Sequence, residues 1–356
     1  MEPLNIGIVG CGVIAPTHAD AFAREENVKL AWACDLIEDR CRALAGKFDI
    51  ARTTTDFREM LDDDRLDAIS VCTDHASHSE ICRSALAAGK HVLCEKALAA
   101  STDQLESMIQ AGRQNGELIF SGIFQHRFNR VYQLLKERID QGLFGKILTA
   151  GVRMHCYRSD NYYRADQWRG TWAGEGGSVL INQAIHMIDI LAWVLGGVDE
   201  VCATYTNRTH TESIETEDTA VAILRLSNSA LGTIKATCSS HLNWNPVVGI
   251  HGTDGIIELR DGVVTLLDMR NKQVEAELQQ QLLHADQPDP DSPGKVYYGG
   301  HHRMQIRDFV EAIRQNRPPF VPAEAARHAV DIVLGTYQSH NSGTWVKLPR
   351  PVSCPG

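Results

Sequence analysis

What this 356-residue chain lacks narrows its class before any motif is read. It lacks an excess of positive charge. Its 35 Lys and Arg stand against 45 Asp and Glu, a formal net charge of −10, which argues against non-specific nucleic-acid binding because such binding needs a positive field. A locally basic pocket for an anionic small molecule stays compatible with that balance. It lacks paired cysteines. Ten are present, but none form C-x-x-C, and Cys34, Cys72 and Cys94 fall inside apolar runs, where cysteine acts as a small buried hydrophobe. The reading is a reduced cytoplasmic protein rather than a disulfide scaffold. No secretory leader is expected, since Met1-Glu2-Pro3 leads straight into a strand. No membrane span is expected either: the longest candidate run, Val179 to Val198, is broken by Asn182, Gln183, His186 and Asp189. No G-x-S-x-G nucleophile motif occurs. His75-x-x-His78 and His301-His302 lack a third ligand at a known spacing, so no metal is expected.

What is present falls into two halves. The length exceeds one average core, so two domains are expected. A hydrophobic content of 43% and a charged content of 22% suit a globular protein. Over the first ~120 residues, strand-like runs (Leu4–Val9, Val28–Cys34, Ala68–Cys72, His91–Cys94, Leu118–Phe120) alternate with helical patterns. Those lie around Thr17–Glu25, Ile37–Phe48, Phe57–Asp62, His78–Ala88 and Thr102–Asn115, the last capped by Ser101 or Thr102. Such alternation means a doubly wound parallel sheet. After a helix around Asn129–Gln141, strand patterns dominate: Ile147–Tyr157, Val201–Asn207, Thr219–Ser227, Leu231–Ser239, Val247–His251 and Ile256–Leu259. Hairpin signals separate them, so a mostly antiparallel sheet is expected. One long helix, Val179–Leu195, is inserted, two late helices (Met304–Gln315, Ala323–His340) follow, and His284–Gly294 reads as a surface loop.

The most informative stretch is Ile6-Gly7-Ile8-Val9-Gly10-Cys11-Gly12-Val13-Ile14-Ala15. A buried strand, a glycine turn and a helix start suit a dinucleotide pyrophosphate. Gly10 permits the turn, Gly12 lets phosphate approach backbone, and Ala15 takes the third small position. The phosphates would sit on the helix N-terminus. The second strand ends at Asp35, the place for an acid that hydrogen-bonds the adenosine ribose. Asp35 would accept ribose hydroxyls and repel a 2′-phosphate, favouring NAD over NADP, although Arg40 and Arg42 nearby would soften that preference.

Polar groups also collect after later strands, where ligands of parallel sheets bind. They are Thr73-Asp74-His75-x-x-His78, Glu95-Lys96-Ala97 and Ser121-Gly122-Ile123-Phe124-Gln125. For Asp74 and Ser77, helix capping is the better reading. Lys96, directly after a buried strand, is a candidate proton acceptor or donor, because partial burial lowers a lysine pKa. A second candidate is the run Trp172–Asp189. Its glycines lead into a helix on which Asn182, His186, Asp189 and Trp193 share a face. That stripe is either a satisfied core network or a pocket wall, with His186 then a possible acid–base group.

Taken together these residues resemble the Gfo/Idh/MocA oxidoreductase family, named for glucose-fructose oxidoreductase and inositol dehydrogenase. The resemblance rests on Gly10-Cys11-Gly12-x-x-Ala15, Asp35 and Glu95-Lys96-Ala97 in the position of the family's E-K-P. It rests further on Gly176-Gly177-Ser178 with Asn182 and His186-x-x-Asp189, and on the closing run from Gly299-Gly300-His301 to Arg317-Pro318-Pro319 and the Ala323–His340 helix. It implies an N-terminal Rossmann domain (1–122) and a C-terminal α+β domain (123–356) for substrate binding, whose large open sheet carries a homodimer or homotetramer contact. It implies NAD-dependent hydride transfer to or from a secondary alcohol of a sugar, cyclic polyol or sugar derivative. Lys96 and His186 would then face the reacting carbon. Asn182 stands where inositol-dehydrogenase-like members often carry Asp; it cannot titrate, which leaves it a hydrogen-bonding role. Gly10, Cys11, Gly12, Val13, Ile14, Asp35, Thr73, His75, His78, Glu95, Lys96 and Gln125 would line the cofactor channel. Arg153, His155, Tyr163, Trp168 and Arg169 would wall the substrate cavity with Asn182. Two other functions fit the same fold: a glycosidase or lyase that oxidises a sugar transiently and retains its NAD, and a non-catalytic nucleotide sensor.

Overall fold

A computed structural model describes residues 3–285 and 301–352. The alternating first part forms β1 (Leu4–Val9), α1 (Ala15–Ala23), β2 (Val28–Cys34), α2 (Glu38–Phe48), β3 (Arg52–Thr54), α3 (Phe57–Leu61), β4 (Ala68–Val71), α4 (His75–Ala87), β5 (His91–Cys94), α5 (Thr102–Gln114) and β6 (Phe120–Gly122). The strands pair in the order β3-β2-β1-β4-β5-β6, all parallel. The order reverses between β1 and β4, which is where a doubly wound sheet opens a ligand crevice. β4 is buried along its whole length, as expected for a strand covered on both faces.

The second part runs α6 (Arg130–Asp140), β7 (Ile147–Tyr157), α7 (Asp160–Arg164), α8 (Ile185–Leu195), β8 (Val198–Thr206), β9 (Thr219–Leu226), β10 (Leu231–Thr237), β11 (Ser239–Gly252), β12 (Gly255–Arg260), β13 (Val263–Met269), α9 (Lys272–Ala285), α10 (His302–Gln315), α11 (Ala323–Ser342) and β14 (Val346–Lys347). Its sheet has eight strands in the order β13-β12-β11-β7-β10-β9-β8-β14. All neighbours are antiparallel except β7 and β10. Period-2 burial in β7, β9 and β10 marks one covered and one open face. The architecture is therefore α/β with a parallel sheet followed by a large, mostly antiparallel one, as the sequence patterns indicate. Among the described residues, no helix is long and apolar enough to cross a membrane.

Several local expectations shift, each for a visible reason. α4 begins at His75 and not His78, because Asp74 caps it by accepting the Ser77 N–H at 3.1 Å. The last parallel strand is Phe120–Gly122 rather than Leu118–Phe120; the Leu118 N–H turns back to the Asn115 carbonyl. β3 is a polar Arg-Thr-Thr edge with no apolar run to announce it. The inserted helix is π-helical over Val179–Ala184 before it becomes α8. His284 closes α9 rather than opening a loop; 286–294 of that expected loop, and Gly299 and Gly300 of the closing run, lie outside the described residues.

The described residues form two compact units, 3–125 with 301–327 and 126–285 with 328–352. The first draws on late sequence because α10 packs on α1, with Phe22 and Phe309 edge to face at 6.5 Å and Ile306, Phe309 and Val310 in the core shared with Ala15 and Ala19. Gln305 secures it, accepting the Phe124 N–H and donating to the Gly122 carbonyl.

Candidate functional site

In the first unit the turn after β1 is a cradle in the physical sense. Gly10 sits at φ +88°, in the left-handed region, and a Cβ there would lie 2.6 Å from the Cys72 carbonyl carbon and oxygen. Only glycine fits. At Gly12 a Cβ would meet nothing within 4 Å, so the glycine there leaves open space over the backbone. Ile14 precedes α1 with no side-chain cap; Pro16 has no N–H and the Thr17 N–H donates to the Ile14 carbonyl at 2.9 Å, so an anion here would meet the N–H groups of the turn that leads into Ala15. Val13 is exposed at this rim. Asp35 closes the cradle: its two oxygens accept the Cys11 N–H at 2.8 Å and the Ile37 N–H at 2.9 Å. These residues fit an NAD pyrophosphate and ribose. The Cys11 thiol is buried, with its pKa pushed up by burial and then by Cys41 and Asp35, so it fills space and is no nucleophile.

The ends of β4 and β5 are braced. His78 is fully buried; its Nδ1 lies 2.8 Å from the Ala97 carbonyl and its Nε2 3.2 Å from the Thr73 carbonyl. Burial lowers its pKa despite those acceptors. The expected channel residue His78 thus ties two loops together, while His75 and Gln125 are also buried and Thr73 is half-buried. Lys96 is half-buried, and the Lys96–Ala97 peptide is cis. Glu95 is buried with His18 and His302, a grouping no sequence spacing announces, since the three come from β5's end, α1 and α10. Its Oε1 is 2.9 Å from His18 Nε2 and 3.6 Å from His302 Nε2. Two ligands of one zinc at about 2.0–2.2 Å would stand about 3.3 Å apart; the shorter separation is that of an N–H···O hydrogen bond. Burial pushes the Glu95 pKa up, but hydrogen bonds and charge from His18 and His302 outweigh it and hold the carboxyl well below its usual range.

In the second unit the π-helical turn and α8 divide the polar stripe in two. Asp189 is a core residue: Arg127 donates to both its oxygens at 2.8 and 2.5 Å, with both side chains almost inaccessible, and the guanidinium lies over the Trp193 ring. Asn182 and His186, one turn earlier, are half-buried. The Asn182 amide donates to Glu175 Oε1 and, at 3.4 Å, to the Tyr162 hydroxyl. Glu175 is fully buried and also accepts the Gly170 N–H at 2.5 Å. His186 lies edge-on to His126, ring centroids 5.1 Å apart. Three donors converge on Glu217 where the helix starts: it accepts the Ser178 N–H on both oxygens, the Leu180 N–H and, at 2.9 Å, the Tyr337 hydroxyl.

The aromatic loop before this helix is ordered by cations. Arg169 donates to Asp166 at 2.8 Å and to the Tyr162 hydroxyl, and stacks 4.4 Å over Tyr162 and 4.8 Å over Trp168. Tyr162, not Tyr163, therefore joins Asn182 and Arg169. Tyr163 is 2% exposed, its hydroxyl bonded to Ser178 Oγ and Cys238 Sγ. Arg153 and His155 are likewise set apart. The pleat of β7 buries Val152, Met154 and Cys156 on the covered face and places Arg153 and His155 on the other. Burial, then the charges of Arg153 and Lys235, lowers the His155 pKa there. The sequence reading missed Tyr162, Glu175, His126, His18 and His302. Glu175 had a signal, a lone acid inside the glycine run Gly174–Gly177, and His302 had one in the pair His301-His302, which sequence reasoning sets aside for want of a third ligand; Tyr162, His126 and His18 had none.

Two family models match the chain, "Oxidoreductase family, NAD-binding Rossmann fold" over residues 4–123 and "Oxidoreductase family, C-terminal alpha/beta domain" over 136–348. The chain belongs to the Gfo/Idh/MocA oxidoreductase family. It is thus an NAD-binding oxidoreductase. It is 26% identical to the myo-inositol 2-dehydrogenase of Thermotoga maritima over 98% of this chain and 100% of that one. It is 32% identical to the D-glucoside 3-dehydrogenase of Escherichia coli over 55% of each. Among solved structures it resembles the WlbA dehydrogenase from Bordetella pertussis in complex with NADH and UDP-GlcNAcA (TM-score 0.88, 25% identity, 98% of each chain).

Proposed function

We propose that this family member is a dehydrogenase that moves a hydride between NAD and a secondary alcohol of a sugar or cyclic polyol. The observation that carries the reading is the joint presence of the Gly10–Gly12 cradle closed by Asp35 and a helix offering half-buried Asn182 and His186 beside an Arg- and aromatic-lined loop. The names of relatives support the substrate class, since inositol, glucoside and levoglucosan dehydrogenases are among them.

When bound, NAD supplies the hydride acceptor. Lys96 or His186 takes the hydroxyl proton as the carbonyl forms, and returns it in the reverse direction. Asn182, its amide nitrogen turned to Glu175 and Tyr162, hydrogen-bonds a substrate hydroxyl and holds the carbon in place. Trp168 offers a ring for a sugar face, and Arg169 keeps that ring in position. Asp35 favours NAD over NADP because its carboxylate repels a 2′-phosphate. A second copy of the chain covers the open sheet face, where Val221, Ile223 and Leu231 are about half exposed on β9 and β10; light scattering on the purified protein tests this, and a monomer at micromolar concentration refutes it.

The catalytic reading is tested by an NAD-reduction screen over inositols, monosaccharides, glucosides, anhydrosugars and nucleotide sugars. One class should generate free NADH. Lys96→Ala and His186→Ala should keep NAD binding and lose turnover by orders of magnitude. Tight NAD binding with no turnover across the panel would instead indicate a nucleotide sensor.

A further inference from the structure

We propose that Glu95 is a positioning residue that fixes the backbone from which Lys96 extends, and that His18 and His302 are its clamps. Glu95 Oε2 accepts the backbone N–H of Lys96 at 3.1 Å, while Oε1 is held by His18 Nε2 at 2.9 Å and faced by His302 Nε2 at 3.6 Å. His18 is itself set by Ser70 Oγ, 2.8 Å from its Nδ1. The two imidazoles stand 5.8 Å apart at 59°, so both can point at one oxygen. His18, Glu95 and His302 are respectively 0, 5 and 3% exposed.

A carboxylate in such a place is costly. Burying a charge is unfavourable unless it is paired, and well-packed apolar side chains of similar volume are often at least as stabilising. Stability alone therefore does not call for Glu95. Its position supplies the reason: it ends β5, on the edge of the sheet where ligands of parallel sheets bind, and its free oxygen is spent on Lys96. The helix α1 that receives the dinucleotide phosphates and the late helix α10 each contribute one clamp. This links the Lys96 backbone to the cofactor-bearing helix within one unit. The other titratable groups near Glu95 include buried His78, whose pKa burial lowers although Glu95 opposes this, and the buried thiols of Cys72 and Cys94, whose pKa values are raised by burial first and by neighbouring charge including Glu95.

The inference rests on Lys96 being a proton-transfer residue, so Lys96→Ala is measured beside every variant. The probes are NAD with myo-inositol, methyl glucoside and levoglucosan, using whichever turns over fastest. Glu95→Gln should lower kcat about a hundredfold, the effect of a displacement on the order of 1 Å at a reacting group, with KM and NAD affinity within about threefold of wild type. His302→Gln, which keeps a nitrogen donor near the same place, should retain most activity, and His302→Leu should not. A second readout needs no turnover. With lysines reductively methylated using an isotopic label, the resonance absent in Lys96→Ala reports the Lys96 titration, and its midpoint should fall in Glu95→Gln because a nearby negative charge has gone. If Glu95→Gln does not fold, Ser70→Ala and the His302 pair carry the same comparison. Wild-type kcat and an unmoved Lys96 titration in Glu95→Gln, with Lys96→Ala inactive, overturns the positioning role alone. Wild-type turnover in Lys96→Ala overturns the reading beneath it. One equivalent of zinc in the purified protein would also overturn it, by making the cluster a metal site.

Discussion

Gly10→Ala and Gly12→Ala should fail in opposite ways, although the two glycines are two residues apart in one turn. At Gly10 the backbone is left-handed and an added methyl would stand 2.6 Å from the Cys72 carbonyl. The left-handed conformation alone costs alanine about 1–2 kcal/mol, and the backbone contact adds to it, so at least about 2 kcal/mol of stability should go. In a domain of this size that lowers Tm by roughly 4–8 °C. At Gly12 an added methyl meets nothing within 4 Å, so Tm should hold. The methyl would instead occupy the space through which phosphate reaches backbone N–H groups. Losing one hydrogen bond to a charged group, about 1.5–3 kcal/mol, weakens NAD binding roughly ten- to a hundredfold. Calorimetric unfolding and NAD titration by fluorescence, run on both variants, provide the test. A Gly12→Ala protein that binds NAD like wild type, or that unfolds as early as Gly10→Ala, would refute the assignment of one glycine to the fold and the other to the ligand.

Three further outcomes follow from the same geometry. Asp189→Leu leaves the Arg127 guanidinium buried without its carboxylate and should cost about 3–5 kcal/mol in urea unfolding, much of it recovered in the double variant Arg127→Met/Asp189→Leu. Glu217, fully buried, has its pKa raised from 4.5 to about 7, chiefly by burial. The folded state keeps this proton after the unfolded chain has lost it, so stability should fall as pH rises from about 4.5 to about 7, by about 3 kcal/mol; Glu217→Gln should lack that slope, and an identical pH dependence in the two proteins would contradict it. Asp35→Ser should weaken NAD at least about tenfold while weakening NADP less; an unchanged ratio of the two affinities would remove Asp35 from cofactor selection.

The glycine turn, Asp35 and the strand-helix alternation were legible because each is local: a conformational demand, a strand end, a period. The site in the second unit was legible only in part. Helical spacing put Asn182, His186, Asp189 and Trp193 on one face, but spacing cannot tell a pocket wall from a core network; Arg127 takes Asp189 into the core, while Asn182 and His186 stay half-buried. Neighbouring tyrosines could not be ranked either; a single residue's rotation decides that Tyr162 meets Asn182 while Tyr163 is committed to Ser178 and Cys238. Arg153 and His155 looked like cavity residues by position, and the pleat of β7 turns them to the open face. The histidine clamp on Glu95 was invisible because its three members are brought together only when α10 packs on α1.

The most direct test of the central claim is the fate of one hydrogen. Myo-inositol, glucosides and levoglucosan carrying deuterium at their ring carbons are turned over with NAD, and the reduced nicotinamide is analysed by mass spectrometry. The account predicts free reduced cofactor carrying one substrate deuterium, abolished in Lys96→Ala. Product formed without accumulation of deuterated cofactor, or deuterium transfer undiminished in Lys96→Ala, would contradict it.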